Sequence, residues 1–145
     1  MPIITGTIDR DGAVIDVIIG ETQDHRNTRK TGGHPVSPSI TSRAAIDTGA
    51  GASGFSRQLL GRLGLKAIDT ITIRTPVGPP QTTDRYQVSV SFVAGGTKHE
   101  FADALVIAAD CFEPSEEIQG LIGRDILDHC MFEYWGPSRQ FQFAF

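Results

Sequence analysis

Apolar and polar positions alternate along much of the chain, with the two-residue period of a strand that buries one face. Tyr86, Val88, Val90 and Phe92 alternate strictly, and Phe141, Phe143 and Phe145 repeat the pattern at the C-terminal end. Ile3 to Ile8 and Ala13 to Ile19 predict two strands, and Asp9-Arg10-Asp11-Gly12 between them predicts a hairpin turn. Further strands are predicted over Ser39 to Ile46, from Ile68 through Ile71 and Ile73, and over Phe101 to Ile107. Leu121-Ile122 is a short apolar strand end, and Met131 to Trp135 with Gln140 to Phe145 predicts a last hairpin around Gly136-Pro137-Ser138. The period turns helical twice: at Leu59, Leu60 and Leu63 behind Ser56 as N-cap, and briefly at Arg124 to His129. Residues 20–38 hold almost nothing apolar and predict a long, exposed, flexible insertion loop within a single domain spanning 1–145.

Composition sharpens this picture. Fifteen isoleucines stand against seven leucines, and β-branched side chains suit a pleated surface better than a helix. Sixteen glycines and eight prolines supply the turns. The expectation is an all-β fold with one or two short helices. A net charge of −4 argues against tracking nucleic-acid phosphates, so no nucleic-acid partner is expected. No apolar run reaches the ~20 residues of a membrane helix, and the first residues lack the pattern of a signal peptide. The expectation is therefore a cytoplasmic protein without a membrane partner. Cys111 and Cys130 lie outside any metal-ligand spacing, so neither a metal nor a cofactor is expected; they are read as free thiols, with a single Cys111–Cys130 bridge as the alternative. His25 and His34 fall in the exposed loop, and His99 and His129 are isolated. Asp110, Glu113, Glu116 and Glu117 form an acidic run, read as a solvated face.

The candidate chemistry begins at Asp47-Thr48-Gly49. Taken alone, the tripeptide is an ordinary β-turn opening on Asp47. Here it comes after the apolar run Ala44-Ala45-Ile46, is trailed by the small residues Ala50, Gly51 and Ala52, and precedes a helical pattern. About seventy residues later comes Leu121-Ile122-Gly123-Arg124-Asp125-Ile126-Leu127. In this order and spacing the chain resembles the retropepsin-like aspartic proteases, single-domain relatives of pepsin found in retroviruses and in bacteria. The resemblance runs from Ser39 to Phe145, and the helical pattern after Ser56 leans it toward the bacterial and cellular members.

The resemblance implies a closed acid-protease barrel and an aspartic endopeptidase acting on polypeptide substrates. It implies Asp47, Thr48 and Gly49 as the catalytic loop, with Ala50 beside the substrate. It also implies a flap over Thr75 to Gln81, in which Thr75, Pro76, Val77 and Gly78 bind substrate; the bland reading of that segment is a proline-stiffened turn. The chain has one Asp-Thr-Gly, since Asp69-Thr70 sits in a strand pattern, so the implied acid pair needs Asp47 from each of two chains on a twofold axis. In the resembled family the chain ends pair into the dimer sheet. Phe141, Phe143 and Phe145 are then either interfacial or part of the chain's own core, and the two readings stand level. One departure from the retroviral members bears on the site. Gly51 and Ala52 stand where those members often carry an acid, which leaves Arg124 in need of another partner. The rival from another class is a non-catalytic peptide-binding or dimerisation module that retains the fold.

Overall fold

The computed structural model describes residues 1–145. Ten strands and three short helices follow one another as β1 (Ile3–Thr7), β2 (Val14–Gly20), α1 (Gln23–Thr31), β3 (Ile40–Ile46), β4 (Gly54–Ser56), α2 (Arg57–Arg62), β5 (Asp69–Ile73), β6 (Gln81–Ala94), β7 (Thr97–Ala109), β8 (Ile118–Ile122), α3 (Arg124–Leu127), β9 (Met131–Trp135) and β10 (Gln140–Ala144). The β-branched, glycine-punctuated composition is thus realised as a mostly β molecule. Strands run in the order β2-β3-β8-β4-β7-β6, and β6 pairs back onto β2 through Ile18↔Ser91, Ile19↔Val90 and Gly20↔Ser89. That last pairing closes a six-stranded barrel, which removes the free sheet edges an open arrangement would leave. β5 is appended outside it, on β6 alone.

The alternating residues of the long β6 turn Val88, Val90 and Phe92 fully inward, against Val17, Ile19, Phe55, Val106 and Ile122. Helix α2 closes one end of this core with Leu59, Leu60 and Leu63. Each such side chain contributes roughly 1.5–3 kcal/mol by leaving water. The Ser56 cap predicted for α2 is present: its hydroxyl accepts from the Leu59 N–H at 3.2 Å. No helix is long and apolar enough to cross a membrane. Cys111 and Cys130 are both free thiols.

Two expectations need correction, and one open choice is decided. The predicted N-terminal hairpin does not form. The Asp9–Gly12 turn is there, as an isolated bridge, but β1 turns away from β2 and pairs antiparallel with β10, which in turn pairs with β9. The loop expected over 20–38 holds a helix, α1, with no buried residue. Its ends explain it: Thr22 Oγ1 accepts from His25 N at 3.2 Å, Asp24 sits in the first turn, and Arg29 and Lys30 sit in the last, each complementing the helix dipole. Glu21, fully buried just before the helix, is ion-paired with Arg29, and Arg29 also reaches the Gly64 carbonyl. Of the two readings of the C-terminal phenylalanines, the second holds: Phe141, Phe143 and Phe145 fill the chain's own core, where Phe143 and Phe145 pack on Phe92 at ring separations of 5.0 and 5.5 Å. With β1 on one side and β9 on the other, β10 has no edge left to offer a partner.

Candidate active site

Strands β3 and β8 run parallel, with Ile46 beside Ile122, so both end at the same rim of the barrel. The segments leaving the two strands therefore meet there: Asp47 after β3, and Gly123-Arg124 after β8. β4 pairs with the other side of β8, which makes the 47–53 segment arch over the end of β8 to reach it.

Backbone bonds fix this arch. Asp47 N donates to Ile122 O at 2.9 Å, Ala50 N donates to Asp47 O at 3.2 Å, and Arg124 N donates to Ala50 O at 2.9 Å. Gly123 is required by close approach. A Cβ there would lie 2.7 Å from Ala52 C and 2.9 Å from Ala50 O, and both of those are backbone atoms that cannot swing aside. A side-chain brace adds to the backbone set. Asp125 accepts from the Ser53 N–H at 3.0 Å and from the Ser53 hydroxyl at 2.7 Å, and Ser53 Oγ accepts from Gly123 N at 3.0 Å. Ser53 is fully buried. Arg124, left without an acid by the small residues at 51 and 52, donates Nη1 to the Thr48 carbonyl at 2.9 Å.

The carboxylate of Asp47 stands on this fixed turn. Gly49 N–H donates to its Oδ1 at 2.9 Å, and no other group of the chain hydrogen-bonds it. A Cβ at Gly49 would sit 3.2 Å from that same oxygen, so glycine here lets the backbone approach the acid. Asp47, Thr48 and Gly49 are exposed and Ala50 is half-buried. The carboxylate of a single chain is therefore open to solvent.

Thr75, Pro76, Val77 and Gly78 occupy the tip of the β5–β6 hairpin. Gly78 has φ +92°, a left-handed conformation suited to glycine, and Thr75 Oγ1 donates to Val77 O at 2.6 Å. Val77 is 86% exposed. No hydrogen bond joins this tip to residues 47–50, so the structure brings the catalytic-loop candidates together but leaves the flap candidates as a separate group.

The 110–117 loop runs from β7 to β8. Burial, with repulsion from Asp110, Glu116 and Asp47, pushes the Cys111 thiol up. Much of its acidic run is engaged: Asp110 pairs with Arg57 and Glu117 with Arg43. A groove of about 450 Å³ lies between β3, α2 and this loop, lined by Arg43, Arg62, Glu116 and Glu117 among others, and Asp47 does not line it. No cluster of three His, Cys, Asp or Glu is placed to hold a metal ion. The pairing of Ser53 with Asp125 is a site feature that sequence reasoning misses. The sequence marks Asp125 as a first-turn helix acid, but its partner lies 72 positions away.

Known proteins resemble the chain in both sequence and fold. The model of a family described as aspartyl protease matches residues 30–126, about two-thirds of the chain. The fold is similar to that in the crystal structure of a retropepsin-like aspartic protease from Rickettsia conorii, with a TM-score of 0.59 and 16% identity, covering 99% of this chain and 90% of that one. No curated protein matches the sequence.

Proposed function

The chain belongs to the aspartyl protease family, and from that premise we propose that two copies of it form an endopeptidase whose reacting groups are their two Asp47 carboxylates. Residues 1–145 act as one unit in this reading, each supplying half of the site. Two carboxylates held a few ångströms apart cannot both ionise cheaply, so the pair keeps one proton. The ionised member draws a proton from a water lying between them, and the protonated member donates to the peptide carbonyl. Water adds to the carbonyl carbon without a covalent enzyme intermediate, and the C–N bond breaks as the amine takes up a proton.

The observation that carries the reading is the isolation of Asp47. It is held rigid by the Gly49 N–H and by the backbone of the turn, yet it is exposed and lacks a second acid within its own chain. A carboxylate pre-positioned in this way has its orientation settled in advance and needs only its twin. Thr48 lies at the same exposed rim, where its hydroxyl can bond across the pair. The β5–β6 hairpin supplies the flap: Thr75, Pro76, Val77 and Gly78 close over an extended peptide and shed water from the site. The interface between copies draws on the outer edges of the terminal sheet, β1 and β9, because β10 is already paired on both sides.

Asp47→Asn removes the acid–base group while keeping its shape. It is expected to abolish cleavage of a peptide library while circular dichroism stays that of the wild type. Equal turnover by the two proteins would end the catalytic assignment. Peptide binding without any turnover by the wild type would instead favour the non-catalytic module.

A further inference from the structure

Strands β4, β7 and β6 lie side by side, and one side chain spans all three. Ser56 pairs with Ala109 in the parallel register of β4 and β7, so the next residues on each strand, Arg57 and Asp110, emerge together. Arg57 Nε donates to Asp110 Oδ1 at 3.0 Å, and its Nη1 donates to Asp84 Oδ2 at 2.5 Å. Asp84 belongs to the β5–β6 hairpin, opposite Thr70. Beside it, Thr83 Oγ1 donates to the Ala108 carbonyl at 2.7 Å. These are the two side-chain hydrogen bonds that leave the hairpin. Arg85 and Asp69, paired across its base, stay within it. The hairpin otherwise hangs from the continuation of β6, with β5 as a free outer arm.

Arg57 is well placed to hold something still. It is the first residue of α2, whose N-terminus is capped by Ser56, and it lies two positions past Phe55, which is fully buried. Its backbone is therefore set by the core, while its planar fork reaches two carboxylates on two different elements. A guanidinium does this with fixed geometry, which an ammonium cannot match. The three side chains remain 44%, 36% and 68% exposed at Arg57, Asp84 and Asp110, so their pairing adds little to global stability. What it fixes is orientation. Asp110 follows directly on β7 in the barrel wall, and Asp84 sits on the arm of the hairpin that carries Thr75 to Gly78.

We propose that Arg57 is a positioning residue that locks the 69–85 hairpin to the start of the 110–117 loop, so that the hairpin keeps one angle to the barrel. The inference rests on the reading of the hairpin as a flap. It assigns Arg57 a part in substrate capture although it touches no reacting atom. Losing the clamp lets the hairpin open more often and weakens binding of an extended peptide, while the acid pair is unchanged.

The test is hydrogen exchange on the full chain carrying Arg57→Gln and, separately, Asp84→Asn, with peptide kinetics in parallel. The expected result is faster exchange at hairpin amides 70–82, by roughly two- to fivefold, the range that an exposed ion pair can supply. Exchange in β2 and β3 stays as in the wild type. KM rises by a similar factor with kcat within about twofold, and Arg57→Lys recovers part of the loss. Unchanged hairpin exchange in both variants overturns the clamp, as does acceleration spread evenly through the barrel. If Arg57→Gln does not fold, Asp84→Asn decides by the same criteria. A wild-type protein that cleaves no peptide refutes the protease reading instead, and the exchange pattern still decides whether Arg57 holds the hairpin.

Discussion

Gly123 leaves no room for a methyl group, because the backbone of Ala50 and Ala52 occupies the space where a Cβ would go. Gly123→Ala is therefore expected to push the 47–53 arch off β8 and to cost about 1–3 kcal/mol, read as a lower melting temperature together with lost peptidase activity. Gly61, inside α2 with nothing within 4 Å, is the control: Gly61→Ala is expected to stabilise by up to about 1 kcal/mol. Cys130 gives a pH dependence with a definite sign. Burial pushes its thiol up to about 11. Below the ordinary thiol range both folded and unfolded chains hold the proton, and its contribution is fully present. As pH rises toward 11 the unfolded chain sheds the proton first, so stability falls. Melting curves across alkaline pH should show a steeper loss for the wild type than for Cys130→Ser; parallel losses would remove the assignment. At this scale the sequence is informative wherever a role is local. Asp47, Gly49 and the Ser56 cap can each be read from their neighbours. The Ser53–Asp125 brace cannot, because it exists only once β8 lies between β3 and β4.

Among the elements, β10 changes meaning most. Its alternating phenylalanines mark one buried face, but alternation does not say whose core they enter. In the fold they enter their own: Phe141 and Phe143 are at most 2% exposed, and Phe143 is flanked by Ile4 and Phe132. Losing one buried Phe typically costs about 3–5 kcal/mol, and whole domains are stable by only about 5–15 kcal/mol. Deleting Phe143 to Phe145 is therefore expected to abolish the β signal in circular dichroism, not merely to shift a dimer toward monomer. A folded, monomeric truncation would overturn this placement. Helix α1 escapes a reading by pattern for a different reason. Hydrophobic periodicity finds helices that bury a stripe, and α1 buries none. The cap at Thr22 and the charge order from Asp24 to Lys30 are present in the sequence, but they carry weight only once Glu21 and Arg29 tie the helix to the barrel.

For the whole molecule, the reading of one acid per chain makes activity a property of concentration. Specific activity is expected to fall on dilution through a second-order region, and a flat response down to concentrations where sedimentation finds only monomer would exclude a shared acid pair. The surface has candidates for the contact: Ile3 on the β1 edge is 48% exposed, and Met131, Tyr134 and Trp135 on β9 are 48%, 56% and 41% exposed. The mostly β barrel is legible in the sequence, whereas the partner of β1 is not, since Ile3 meets Ala144 across nearly the full length of the chain. The parallel pairing of β3 with β8 also sets a clock. Pairings between distant residues form slowly, and during synthesis they wait for the second partner to be made. Asp47 is translated early, but its turn is pinned by Ile122, Gly123, Arg124 and Asp125. Until those residues leave the ribosome the acid sits on an unbraced loop, so a nascent chain carries Asp47-Thr48-Gly49 long before the turn that holds them is fixed.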